Sequence, residues 1–385
     1  MAAGLAAGTL YNVGILLMAS FILGELFERI GLESILGYIT AGLLLGPSFL
    51  SVMEASAVQS FATIGVSLVL FNAGLREENA ADIFRHRQGL QLGLGILAGS
   101  FAVIFTALYF FGSQFLPYNT LTQFLFIALA YAVVDIGIPS KIMMSRGMLR
   151  QETGKYTIKS AVINVTAGLL ALTGLVLVFS PGENVAMRLG GILGFAAVFY
   201  ILHETIHRID DYIINFEETE AQFAITFAFL LGLSYMTEIV GLSTVLGAFF
   251  AGIIVSRSDF SESKAFQEKI NAIGLGLFIP IFFAWFGLGL QISSIIANIE
   301  AAVFLFGLST VSKLGIGYAA SKLHGMDKPG TIAASLISLD IETLVVLLIG
   351  QDMGLYGPEI LQMFAPAVLL STLTIVLLYA VIDRR

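Results

Sequence analysis

Residues 31–42 read GLESILGYITAG, and residues 241–252 read GLSTVLGAFFAG. Gly31, Leu32, Leu36, Gly37, Ala41 and Gly42 stand opposite Gly241, Leu242, Leu246, Gly247, Ala251 and Gly252, a shift of 210 positions. Both copies lie in apolar runs, so the repeated unit is a piece of membrane protein. Membrane carriers are often built from two such halves, with the substrate held where the halves meet. The echo therefore points to a transporter before any site is named.

The composition agrees. The 385 residues are 57% hydrophobic and 12% charged, with a mean hydropathy of +0.91, and a soluble chain of this size cannot cover so much apolar surface. The charges are bunched, which leaves runs long enough to cross a bilayer. Thirteen such segments are expected, at roughly 9–26, 33–47, 56–75, 89–113, 120–147, 153–180, 186–205, 219–237, 242–256, 268–290, 298–321, 330–351 and 359–382. The basic residues fix an orientation. Loops after odd-numbered segments, with the C-terminus, hold sixteen of the nineteen Lys and Arg residues, whereas the even loops hold Arg188 alone. By the positive-inside rule the odd loops face the cytoplasm, which puts the N-terminus outside and the C-terminus inside. Segments 2 and 9 then run through the bilayer in opposite directions, so the repeat is inverted.

Several classes are excluded or disfavoured. With no cysteine, disulfides, thiol catalysis and cysteine-ligated metals are ruled out. A net charge of −8 without a basic stretch gives no nucleic-acid surface. The start, MAAGLAAGTLYN, lacks the basic region of a cleaved signal peptide. No soluble domain is expected after segment 13, so a regulatory module would be a separate subunit.

A charge near the bilayer centre is costly and is a functional candidate by default. At 1.5 Å per residue, Asp135 lies about 22 Å into segment 5 and Lys313 about 22 Å into segment 11. Asp340 and Glu342 lie about 15–18 Å into segment 12, and Asn164 about 16 Å into segment 6. Four ionisable groups from three segments thus share one depth. VVDIGIPS (133–140) and SLDIETLV (338–345) resemble each other and occupy equivalent places in the two halves. Gly137 and Pro139 weaken the helix after Asp135. Segment 12 has no such proline, and its break is inferred by symmetry. Broken helices present free carbonyls and partial charges that coordinate ions. The competing reading is a structural ion pair of Asp135 or Asp340 with Lys313. Lys159, about 9 Å from the start of segment 6, is read as snorkelling to the interface.

The stretches GYITAGLLLGPS (37–48), IGVSLVLFNAGL (64–75), GLSTVLGAFFAGIIVS (241–256), GLFIPIFFAWFGLGL (276–290), SKLGIGY (312–318) and SLDIETLVVLL (338–348), in this order and spacing, resemble the cation:proton antiporter superfamily. The similar branch holds bacterial sodium/proton antiporters and glutathione-gated potassium efflux systems. The resemblance implies an all-α membrane protein of about 13 helices in two inverted repeats, with two crossed broken helices. It implies a scaffold and dimerisation part at about 9–75 and 219–290, a mobile core at about 89–180 and 298–382, and a linker helix at about 186–213. Exchange of a monovalent cation, sodium or potassium, for protons by an elevator movement would follow, in a homodimer of a bacterial or archaeal cell membrane, without cofactor or enzymatic chemistry.

The site departs from the family pattern. Relatives carry Asp-Asp or Gln-Asp on the sixth segment, where this chain has Asn164 and Val165. The family's Arg-Gly-Glu on segment 12 matches Asp340, Ile341 and Glu342, and Asp135 resembles the Asp of Thr-Asp-Pro in the other antiporter branch. The expected ion- and proton-binding set is therefore Asp135, Asn164, Asp340 and Glu342, with Lys313 compensating charge. Such oxygen donors suit hard cations, a divalent one included. The rival expectation is a homologue that senses ions or pH, or carries another solute. Finally, HETIH (203–207) matches a zinc-protease signature, with His203 and His207 on one helical face and Asp211 a turn beyond. At the charged end of segment 7, with no third ligand evident, it reads as an ordinary interfacial helix end.

Overall fold

The computed structural model describes residues 2–30, 32–75, 87–135, 148, 151–179, 190, 193–195, 197–202, 204–206, 220–239, 244–339 and 341–382. The protein is an all-α membrane protein; the described residues contain no strand. Eight helical stretches are long and apolar enough to cross a membrane, and they fall on expected segments 1, 3, 4, 6, 8, 10, 11 and 13. Segments 2, 5, 7 and 9 contain shorter apolar helices, and segment 12 is two short helices. The chain divides into two compact units, Met1–Glu78 with Gly182–Gln291 and Asn79–Pro181 with Ile292–Arg385.

The first unit holds α1 (Ala2–Arg29), α2 (Ser34–Leu45), α3 (Gln59–Leu75), α7 (Ala221–Ile239), α8 (Thr244–Val255), α9 (Lys264–Ile273) and α10 (Ile279–Leu288). α2 stops because Pro47 pushes Gly46 into extended backbone, at ψ −179°. Between α9 and α10, residues Gly274–Phe278 form one π turn, in which the Ile279 amide donates to the Gly274 carbonyl. Pro280, just beyond it, has no amide to return to the regular ladder.

Backbone-on-backbone contact holds this unit. A Cβ built on Gly42 would overlap the Ala284 carbonyl of α10, and one on Gly287 would overlap the Ile39 carbonyl of α2. Likewise Gly252 of α8 abuts the Phe71 carbonyl of α3, and Gly74 abuts the Phe249 carbonyl. A third pair places Gly37 on the Leu23 carbonyl and Gly247 on the Leu233 carbonyl. The shift of 210 positions carries Leu23, Gly37, Ile39 and Gly42 onto Leu233, Gly247, Phe249 and Gly252. The echoed glycines thus make corresponding contacts. Small residues let helices approach in a membrane, where hydrophobicity alone does not drive association. A core of Leu16, Leu45, Met53, Val58, Ile281, Ala284 and Leu288 fills one side of the α2–α10 crossing. Ser48 Oγ donates to the Leu290 carbonyl over 2.7 Å, tying together the C-terminal ends of those two helices.

The second unit holds α4 (Arg87–Phe115), α5 (Leu121–Ala132), α6 (Glu152–Phe179), α11 (Ile292–Ala297), α12 (Ile299–Leu323), α13 (Pro329–Ser335), α14 (Ile341–Asp352) and α15 (Glu359–Ile382). α5 packs against α4, α6, α12 and α14. From Phe126 to Ala132 every α5 residue is buried, and so are Glu342–Leu347 of α14. A helix apolar around its circumference belongs at the centre of a bundle. α12 is turned the opposite way from a soluble helix: Val311 is 71% exposed while Lys313 is fully buried. That inversion suits lipid outside and polar groups within.

Substituting Gly42 or Gly252 by Leu is expected to cost at least about 1–3 kcal/mol of overpacking and to abolish the monodisperse peak in detergent size-exclusion. Gly232→Ala, where an added Cβ meets nothing within 4 Å, is expected to leave the peak unchanged.

Candidate ion site at two helix breaks

α5 begins with a capping box, in which Thr120 Oγ1 accepts from the Gln123 amide and the Gln123 side chain accepts from the Thr120 amide. Twelve residues later it opens. Val133 is extended, at φ −67° and ψ 142°, and residues 133–135 leave the helix. Segment 12 opens at the matching place: α13 ends at Ser335, residues 336–339 are non-helical, and α14 starts at Ile341. No proline is needed there. Ser335 Oγ donates back to the Thr331 carbonyl over 2.8 Å and also meets the Tyr379 hydroxyl, which competes with continuation of the ladder.

Opened backbone in hydrocarbon must find partners, and here they are side chains from other helices. Lys313 Nζ donates to the Val133 carbonyl over 2.6 Å and to the Ser338 carbonyl over 3.5 Å. One ammonium thus caps both breaks. The Val134 amide donates to Asn164 Oδ1 over 2.9 Å, and Asn164 Nδ2 donates to the Gly93 carbonyl over 3.3 Å. Ser309 Oγ, one turn before Lys313 on α12, donates to the Tyr131 carbonyl over 2.7 Å. The Leu339 amide donates to Ser371 Oγ of α15 over 3.4 Å.

Around this centre the relative exposures are 4% for Asp135, 1% for Asn164, 0% for Lys313 and 6% for Glu342. Asp135 and Glu342 both act electrostatically on Lys313. Glu342 lies in the first turn of α14, where the helix dipole favours a carboxylate. Of the residues singled out in the sequence, the structure brings together Asp135, Asn164, Lys313 and Glu342. Asp340 lies outside the described residues, between the described Leu339 and Ile341. Gly137, Pro139, His203, His207 and Asp211 also lie outside them. Glu204 of the HETIH stretch faces Arg257 at 3.9 Å, and no cluster with metal-ligand composition occurs among the described residues. Lys159 is half-buried and lines a cleft of about 380 Å³ with Gln88, Glu152, Lys155 and Tyr156.

Asn164 differs from its sequence reading in one respect. Its amide is engaged at both ends by backbone, so it holds the break open and fixed. Sequence reasoning passed over Ser309, Ser338 and Ser371. Ser309 has a sequence signal, standing four residues before Lys313 and so on the same helical face. The Ser338 carbonyl and the Ser371 hydroxyl have none.

Interrupted helices meeting at a buried charge define a membrane carrier of the secondary-transport type. Residues 15–381 match the model of the transmembrane sodium/hydrogen exchanger family, and the chain belongs to that family. It is 27% identical over 369 residues to a Na(+)/H(+) antiporter of Enterococcus hirae, covering 93% of this chain and 94% of that protein. It is 27% identical over 382 residues to the probable Na(+)/H(+) antiporter 3 of Methanocaldococcus jannaschii, covering 94% and 93%. Its fold matches the solved structure of the sodium proton antiporter MjNhaP1 from Methanocaldococcus jannaschii at pH 8, with a TM-score of 0.70, 13% identity, and coverage of 97% and 96%.

Lys313→Met removes the ammonium from the Val133 and Ser338 carbonyls and from the field of Asp135 and Glu342, and is expected to cost about 3–5 kcal/mol. Asn164→Ala orphans the Val134 amide, at about 1–3 kcal/mol, while the Gly93 carbonyl keeps its place in the α4 ladder. Thermal unfolding in detergent should therefore show both variants well below wild type, with Lys313→Met the lower.

Proposed function

We propose that the protein exchanges a monovalent cation, sodium or potassium, for protons across the cell membrane of a bacterium or archaeon. The observation that carries this reading is the Lys313 ammonium, seated on carbonyls of both helix breaks with Asp135 and Glu342 acting on it. A place built to hold one positive charge on carbonyl oxygens is a place that a hard cation can contest.

In the empty state Lys313 balances the acids. When a cation enters, Asp135, Asp340 and the Val133 and Ser338 carbonyls take it, and Lys313 is released. Two acids in one low-dielectric site titrate apart, so a proton held between them is displaced by the cation and returns when the cation leaves. Asn164 keeps the break in register, and Glu342 holds the field at the start of α14. The second unit serves as the moving core and the first, with its glycine-locked crossings, as the scaffold of a homodimer. The charge asymmetry of the loops supports an outer N-terminus and a cytoplasmic C-terminus.

One observation favours a second reading, a sensor or an altered carrier. Val165, 1% exposed, stands where relatives carry the exchanging carboxylate. The two readings separate in liposomes with an internal pH dye. Cation addition is expected to move protons in wild type, and Asp135→Asn or Asp340→Asn to slow this at least tenfold; movement that persists in both variants overturns the assignment. Ion-dependent thermal stabilisation without any flux would select the sensor.

Relocation of the carboxylate makes a further prediction. Val165→Asp, placed in the Asp135→Asn background, is expected to recover proton movement to within about tenfold of wild type in the same assay.

A further inference from the structure

Tyr118, Tyr131 and Tyr356 are 4%, 0% and 6% exposed. Their three hydroxyls have no hydrogen-bond partner among the described residues. All three belong to the second unit. Tyr118 precedes the N-cap of α5, and Tyr131 sits in its last turn, about 16 Å along the helix from Thr120 at 1.5 Å per residue. Tyr356 bridges the two levels. Its ring lies 5.5 Å from that of Tyr118, its hydroxyl lies over Gly350 of α14, and both other phenols act electrostatically on it. The loop that carries it is tied down, because Gln123 Nε2 of the capping box donates to the Leu355 carbonyl. Burial pushes the Tyr118 and Tyr356 phenols above the ordinary tyrosine value, so both remain neutral donors. At the loop end of the file stands Glu359, whose charge Tyr118 feels. At the other end, Tyr131 stands two residues before Val133, which Lys313 caps, and its own carbonyl accepts from Ser309; Asp135 follows two residues beyond Val133.

Three buried hydroxyls without protein partners are costly, at about 1–3 kcal/mol each, unless water satisfies them. Buried waters in proteins sit at such polar gaps, with about three hydrogen bonds each. Elsewhere in the same unit a buried tyrosine is fully partnered: Tyr379, 4% exposed, meets Ser335 Oγ and donates to the Thr331 carbonyl over 3.1 Å. Among these four tyrosines the unpartnered hydroxyls are thus the three along α5 and its neighbouring loop.

We propose that Tyr118, Tyr131 and Tyr356 enclose an internal water site that leads from Glu359 to the opened end of α5 and supplies protons to Asp135. A proton enters on water beside Glu359. Each phenol then accepts one proton from the water behind it and gives its own to the water ahead, so the tyrosines end unchanged and the carboxylate of Asp135 gains one proton. The cation needs no part of this file, since its ligands are the carbonyls and acids at the breaks. The water site stands on the structure alone, whereas its use as a proton path rests on the antiport reading above.

Hydroxyl-radical footprinting of the purified protein, read by mass spectrometry, tests the water site without any transport. Tyr118, Tyr131 and Tyr356 are expected to be oxidised at least tenfold faster than the equally buried Tyr379, and within about threefold of Tyr109, which is 61% exposed. Oxidation at the rate of Tyr379 overturns the site. For the path, Tyr131→Phe and Tyr356→Phe in liposomes are expected to slow sodium-driven proton movement at least tenfold. Exchange of radioactive for unlabelled sodium at equal pH should stay within twofold. Proton movement that is unchanged, or a fall of the same size in both modes, overturns the path. Wild-type protein that moves no protons removes the antiport reading and the path together, and the water site is then decided by the oxidation rates alone.

Discussion

The second unit depends on one ammonium group. Two helices open in the middle of an apolar bundle, each exposing a carbonyl that hydrocarbon cannot satisfy, and Lys313 Nζ reaches both Val133 and Ser338. An unbroken helix is required to deliver it. α12 runs 25 residues without interruption, about 37 Å at 1.5 Å per residue, and Ser309 pins its neighbouring turn to Tyr131. Two of the freed amides are met by side chains, Val134 by Asn164 and Leu339 by Ser371. The breaks are thus held by side chains from α6, α12 and α15, and each is only as stable as those helices' placement.

The first unit is built on the opposite principle. Its closest approaches are between bare backbones, at Gly42 with Ala284, Gly287 with Ile39, Gly74 with Phe249 and Gly252 with Phe71. Contacts of this kind leave no room for side-chain rearrangement and give a rigid body with little internal chemistry. The second unit carries Asp135, Asn164, Lys313 and Glu342 at its centre. The backbone-packed crossings and the polar centre thus lie in different units.

Depth in a membrane follows from counting residues at a fixed rise. That counting put Asp135, Asn164, Lys313, Asp340 and Glu342 at one level; the structure brings four of them together, and Asp340 lies outside the described residues. The backbone partners of Asn164 were not legible: its amide is bound to Val134 and Gly93, 30 and 71 positions away. Nor did local sequence disclose the segment 12 break, which has no proline and is held by Ser335 within the segment and by Tyr379, Lys313 and Ser371 from outside it.

The sequence by itself determined the membrane class, the echo of Gly37 and Gly42 in Gly247 and Gly252, and the acids and lysine set deep in apolar runs. These are consequences of composition and spacing, because hydrocarbon penalises charge and tolerates close helices only at small residues. Tertiary structure alone decided which carbonyls Lys313 caps, that the Tyr118 and Tyr356 rings meet, and that the Asn164 amide bonds to distant backbone. Such contacts join residues far apart in the chain, and a hydrogen bond forms only where two particular atoms meet at the right distance and angle.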